Sequence, residues 1–226
     1  MPKTHDMLFL FDVDNTLLDN DRVKTDLASH VEHTFGKAGN ERFWVLYEEQ
    51  RIKHGYVDVL GALERFRLEH IDNPSALRLA NWLLDYPFIE RLYPDVFALI
   101  RHVRHWGQPV ILTDGDGVFQ PHKLVRAGLW DAFDGHVLGY VHKEQELDAI
   151  QRAYPARHYV MVDDKLPVLN TVKNALGARV TTVFPRQGHY AHDPKTLAGQ
   201  KPADITVDRI ADLMEHDFST LKETLS

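Results

Sequence analysis

Met7-Leu8-Phe9-Leu10-Phe11-Asp12-Val13-Asp14-Asn15-Thr16-Leu17-Leu18-Asp19 is an apolar run that stops abruptly at acids. Consecutive apolar residues bounded by polar ones suit a strand buried on both faces, as in parallel sheets covered by helices. In such sheets the ligand crevice lies beyond the carboxyl ends of the strands. If the extended conformation persists, Asp12 and Asp14 project to the same side. At ~4 Å and an effective dielectric of ~20 they repel by about 4 kcal/mol, so either one carboxyl holds a proton or a cation sits beside them. Taken alone, the acids also suit the start of a solvated loop, because Asp is common in turns.

The same pattern recurs downstream. Pro109-Val110-Ile111-Leu112 ends at Thr113-Asp114-Gly115-Asp116, His136–Val141 ends at His142-Lys143-Glu144, and Tyr159-Val160-Met161-Val162 ends at Asp163-Asp164. Val180–Phe184 reads as a fifth strand and Ile205-Thr206-Val207 as a short edge strand. Helices fall between them: Asp95–Trp106 with Gly107 as a left-handed cap, a helix through Lys123, one carrying Leu147 and Ile150, and one from Leu166 to Leu176 with Pro167 in its first turn. Asp208 is expected to cap a final helix burying Ile210, Leu213, Met214, Phe218 and Leu221. Alternating strands and helices imply right-handed crossovers and an α/β fold with an open parallel sheet.

Between Asp21 and Leu84 the apolar spacing is helical instead, with Leu27, Val31 and Phe35 four apart, then Leu60, Leu63 and Phe66, then Ala76, Leu77, Ala80, Leu83 and Leu84. Gly36 and Gly39-Asn40 are expected to break the first helix from a second, and Asn73-Pro74-Ser75 to start the last. The division is therefore an insertion: a core made of residues 1–19 and 91–226, and a helical cap over 20–90.

The chain has 226 residues and 44% hydrophobic content, enough for a sizeable core. Lys and Arg number 26 against 33 Asp and Glu, a net charge of -7 without a basic run, which argues against nucleic-acid binding. The absence of cysteine removes disulfides, thiolate zinc sites and a cysteine nucleophile. The first apolar run is too short for a signal-peptide core or a membrane span, so a soluble cytoplasmic protein is expected. His30 with His33, and His102 with His105, share metal-ligand spacing, but neither pair has an evident third ligand and the chain holds 14 histidines.

Parallel strands would bring Asp12, Asp14, Thr113, Lys143, Asp163 and Asp164 to one edge. Four carboxylates so close need a hard cation, and oxygen-only ligands favour magnesium over zinc. The lysine and hydroxyl suit an anion with several oxygens, such as phosphate.

On these residues the chain resembles the haloacid dehalogenase (HAD) superfamily, in its phosphatase branch with a helical cap. Phe11-Asp12-Val13-Asp14-Asn15-Thr16-Leu17 looks like the first motif, Val110–Thr113 the second, Lys143 the third and Val160–Asp164 the fourth. The resemblance implies a Rossmann-like core with a mobile lid and a small phosphorylated substrate. It assigns Asp12 as nucleophile and Asp14 as the acid and base that protonates the leaving oxygen and later activates water. Thr113, Asp114 and Lys143 fall at the phosphate pocket. Magnesium is implied on Asp12, Asp14 through its backbone carbonyl, and one or both of Asp163 and Asp164. Members that cleave carbon–halogen bonds lack the second acid, because halide departs without a proton.

The pattern departs at Asp114, where Asn is common in the family. With Asp116 it adds negative charge near a phosphate site: these acids point away, hold a cationic part of the substrate, or move the pocket. Lys123 is a rival to Lys143 for the third motif. A phosphomutase and a non-catalytic phosphate-binding regulator are the alternative functions. In the insert Arg42, Trp44, Tyr47, Arg51, Lys53, His54 and Tyr56 could present cations and rings to a substrate, and Gln187-Gly188-His189-Tyr190 either reaches the rim of the site or forms a turn.

Overall fold

A computed structural model describes residues 4–221. Six parallel strands form one sheet in the order β3-β2-β1-β4-β5-β6, with β1 His5–Phe11, β2 Gln108–Asp114, β3 Val137–Tyr140, β4 Ala156–Val162, β5 Val180–Pro185 and β6 Ile205–Val207. This is the expected α/β Rossmann-like arrangement. Chain order reverses between β1 and β4, the neighbours at the centre, so the crevice that such a switch point opens lies beyond Phe11 and Val162.

The apolar run of β1 is explained by its two covered faces. Met7, Phe9 and Phe11 pack into one core, while Leu8 and Leu10 pack into the other. Burying each large side chain contributes about 1.5–3 kcal/mol. Phe9 meets Phe218 edge-on, with ring centroids 5.2 Å apart.

Between β1 and β2 lie α1 (Asn20–His54), α2 (Val59–Glu69) and α3 (Pro74–Leu84). Asp19 caps α1 by accepting from the Arg22 N–H, Asp58 caps α2, and Asn73 caps α3 ahead of Pro74. Only one of the two expected breaks occurs. Gly36 kinks α1 at φ 72°, ψ 176°, whereas Gly39 continues the helix, buried beside Phe35 and Phe66. Leu77, expected on the buried stripe, is exposed. The chain leaves and re-enters the core at adjacent points, where Leu18 bridges Leu92 and the Asp19 N–H donates to the Arg91 carbonyl.

The remaining helices are α4 (Val96–Val103), α5 (Phe119–Arg126), α6 (Leu129–Ala132), α7 (Leu147–Ala153), α8 (Leu166–Leu176) and α9 (Pro194–Leu197). Two expectations are corrected. Gly107 is not a left-handed cap: it follows a turn after α4, and glycine is required because a Cβ would collide with the Met7 carbonyl oxygen of the adjacent strand. The terminal helix is not continuous either. A 3-10 helix over Ile210–Glu215, begun by Arg209 rather than Asp208, buries Ile210 and Leu213 and stops at His216. Phe218 then reaches the core from beyond that break. Among the described residues no helix is long and apolar enough to cross a membrane.

Candidate active site

The backbone turns sharply after Phe11. Val13 is buried and its carbonyl accepts from the N–H groups of Leu17 and Leu18, while Asn15 takes a left-handed φ of 63°. Strand geometry therefore does not persist through Asp14, and the two acids part company. Lys143 donates to Asp12 Oδ1, and Lys123 Nζ lies 2.5 and 2.7 Å from the two oxygens of Asp14. The repulsion expected between the acids is relieved by one ammonium for each. Lys143 thus faces the first acid and its rival Lys123 the second.

Lys143 is fully buried, and its Nζ also lies 2.7 Å from Asp163 Oδ2 and donates to the Leu112 carbonyl at 3.3 Å. Burial alone would lower its pKa, but the charges of Asp12, Asp163 and Asp114 outweigh that and raise it. The ammonium is held charged. Asp114 Oδ1 accepts from the Lys143 N–H at 2.9 Å, so this acid fixes the turn that delivers the lysine. Burial pushes the Asp114 carboxyl up.

Asp12, Asp163 and Asp164 are buried, with one oxygen of each within 4.8 Å of the others, and they are the one such group found among the described residues. The Asp14 side chain is not among them and pairs with Lys123 instead. Asp12 Oδ2 and both Asp164 oxygens have no hydrogen-bond partner, and Asp163 Oδ2 has only the Lys143 ammonium beside it. Burial pushes both Asp163 and Asp164 up; for Asp164 the charges of Asp163 and Asp12 push the same way. Unpartnered buried carboxylate oxygens converging on one point are costly unless a cation or protons offset them. An all-oxygen donor set fits a hard divalent ion.

Thr113 is buried at the end of β2, where its Oγ1 accepts from Gln120 Nε2 at 2.7 Å and lies 3.3 Å from the Asp114 carbonyl oxygen. Gln120 and Lys165 are residues that sequence reading missed. Lys165 follows the fourth-strand acids, with its ammonium 5.0 Å from the centroid of the Tyr190 ring; burial opposes its charge, yet Asp12 and Asp163 raise its pKa. Its position directly after Asp163-Asp164 was the available signal.

Above these strand ends is a cavity of about 290 Å³ whose lining includes Asp14, Asp114, Asp116, Gln120, Lys123 and Lys165 on the core side. Of the insert residues singled out by sequence, Trp44, Tyr47, Arg51 and Tyr56 line it, whereas Arg42 is turned to Glu69 and Glu49. The 187–190 segment does reach the rim. His189 N–H donates to Asp21 Oδ2 at 2.8 Å, Tyr190 lines the cavity, and Gly188 at φ 67° avoids the Asn15 side chain. The histidine pairs find structural roles or none: His30 stacks on Trp82 with centroids 4.3 Å apart.

Residues 7–175 match the haloacid dehalogenase-like hydrolase family, and the chain belongs to it. A haloacid dehalogenase-like hydrolase from Burkholderia xenovorans LB400 is 53% identical, with a TM-score of 0.88 over 96% of this chain and 99% of that one. An L-2-haloacid dehalogenase from Xanthobacter autotrophicus shares the fold at 18% identity, with a TM-score of 0.58 over 92% of this chain and 96% of that one. A HAD-hydrolase from Bacillus subtilis, bound to magnesium, does so at 14% identity, with a TM-score of 0.60 over 97% and 99% of the two chains. A search of curated proteins finds no match.

Proposed function

We propose that this hydrolase is a magnesium-dependent phosphomonoesterase that acts on a small phosphorylated metabolite through an aspartyl-phosphate on Asp12. The observation that carries the reading is the buried Asp12, Asp163 and Asp164 group with its unpartnered oxygens. Magnesium would be held by these three carboxylates and, when bound, supplies the positive charge that lets phosphoryl oxygens approach them.

Lys143 holds one oxygen of Asp12, which fixes the carboxylate for attack on phosphorus and offsets its charge. The Thr113 hydroxyl, turned by Gln120, donates to a phosphoryl oxygen. Asp14 stands on the cavity wall, where it delivers a proton to the leaving oxygen and then takes one from the attacking water. The helices over residues 20–90 act as a cap on the core of 1–19 and 91–226, excluding bulk water from the site.

Asp14 also distinguishes this reading from dehalogenation, which the Xanthobacter enzyme's name denotes. Halide is a stable leaving group that needs no proton, whereas an alkoxide does. A carboxyl that donates a proton to the leaving atom serves the phosphatase and has no counterpart in halide departure.

The test is a panel of phosphorylated metabolites incubated with magnesium, with chelator, and with Asp12→Asn. Phosphate release is expected only with metal and intact Asp12. Full activity in Asp12→Asn contradicts the mechanism, and sugar-phosphate rearrangement without release assigns a mutase instead.

A further inference from the structure

Lys24 lies in the first turns of α1, next to buried Val23, and lines the cavity from the insert side. Two other cations that line the cavity have carboxylate partners: Lys123 on the core side has Asp14, and Arg51 on the insert side has Glu48. Lys165 belongs to the metal end, where Asp12 and Asp163 act on it. Among the described residues the Lys24 ammonium makes no hydrogen bond or ion pair, and its recorded contact is the Tyr47 ring, 5.9 Å from Nζ to centroid. Burial lowers its pKa; Asp14 and Asp21 attract its charge from a distance, and Lys123 and Lys165 repel it. A partly buried ammonium without a partner is costly, and a ligand that supplies the anion offsets that cost.

The surroundings define that ligand. Leu27, Trp44, Tyr47, Tyr56 and Leu83 make the insert-side wall largely apolar, so few groups there compete for an anion. Lys24 and Asp14 line the same cavity, so an anion held by this ammonium shares the space with the carboxyl that serves the leaving oxygen. The cavity of about 290 Å³ is at the lower end of small-molecule sites, which suits a small leaving portion.

We propose that Lys24 is a specificity-determining residue that binds a second anionic group, a carboxylate or a further phosphate, at the far end of the substrate's leaving portion. This rests on the phosphatase reading above. The enzyme then prefers short dianionic or polyanionic esters over esters with neutral ends, and Trp44 and Tyr47 cover the carbon chain between the anions.

The experiment uses alkyl phosphates of equal chain length ending in methyl, carboxylate or a second phosphate, with magnesium. Wild-type kcat/KM is expected to be at least tenfold higher for one or both anion-ended esters. Lys24→Met should reduce that preference tenfold or more, and Lys24→Arg should restore part of it. Binding of the same esters to magnesium-loaded Asp12→Asn, with and without Lys24→Met, reads the contact without turnover and should show the same loss for anionic ends. Equal wild-type rates on all three esters, or an equal loss on all three in Lys24→Met, would overturn the assignment while leaving the phosphatase reading intact. Release of phosphate from none of them would overturn both.

Discussion

Lys123 places its ammonium 2.5 and 2.7 Å from the two oxygens of Asp14, while Lys143 holds Asp12 at the neighbouring position of the same loop. Two acids that the sequence sets two residues apart are thereby given separate partners and separate work. One is locked in a buried network of charges; the other stands on the wall of an open cavity.

The second acid should matter in proportion to the leaving group's need for a proton. Asp14→Asn is expected to lower kcat on alkyl phosphates by about 10²–10⁴. On 4-nitrophenyl phosphate, whose leaving group is stable unprotonated, the loss should be far smaller. Equal losses on both substrates would remove Asp14 from proton transfer.

The first acid's partner is structural as well as chemical. Lys143→Met leaves Asp12 and Asp163 buried without their ammonium, so urea unfolding at pH 7.5 in chelator should show a loss of ~3–5 kcal/mol. Because its pKa is raised above the ordinary lysine value, the contribution of Lys143 is fully present at acid and neutral pH and is lost only in the alkaline range, as pH rises from that ordinary value through the folded one. In the variant the carboxylates can take up protons instead, so the loss should shrink near pH 5.

Magnesium and protons compete for one site. Because burial raises the pKa values of Asp163 and Asp164, their contribution favours the folded state at low pH and is lost as pH rises through the folded values. Metal binding needs the deprotonated forms. The increase in Tm on replacing chelator with magnesium should therefore be larger at pH 7.5 than at pH 5, and magnesium at a hundred times its Kd corresponds to ~2.7 kcal/mol. A gain that is equal at both pH values would contradict the site.

Gly107→Ala tests the close approach before β2. Its Cβ would meet the Met7 carbonyl, and the expected cost is about 1–3 kcal/mol in urea unfolding. An unchanged midpoint would show that the backbone there yields freely.

The parts of the site that sequence reveals are those carried by strand ends. A strand buried on both faces is a continuous apolar run, so Phe11 and Val162 mark where β1 and β4 stop, and Leu112 marks the last apolar residue of β2 before the polar Thr113 and Asp114 that still pair with β3. Side chains delivered from helices are less legible. Lys123 reads as an ordinary helical cation until the packing of α5 aims it at Asp14, and nothing local marks Gln120 or Lys24 as cavity residues. Local geometry was also ambiguous at the carboxyl end, where the three-residue spacing of Ile210 and Leu213 fits a 3-10 turn as well as an α-helix. At Gly107 a glycine after a helix suggested a cap, but the constraint comes from a strand a hundred residues earlier.

The most direct test measures phosphate and halide release side by side from one preparation. An alkyl phosphate and 2-chloropropionate are supplied in turn, each with magnesium and with chelator. The account predicts phosphate release that requires magnesium and no chloride release. Chloride release that persists in chelator, without phosphate release, would contradict it.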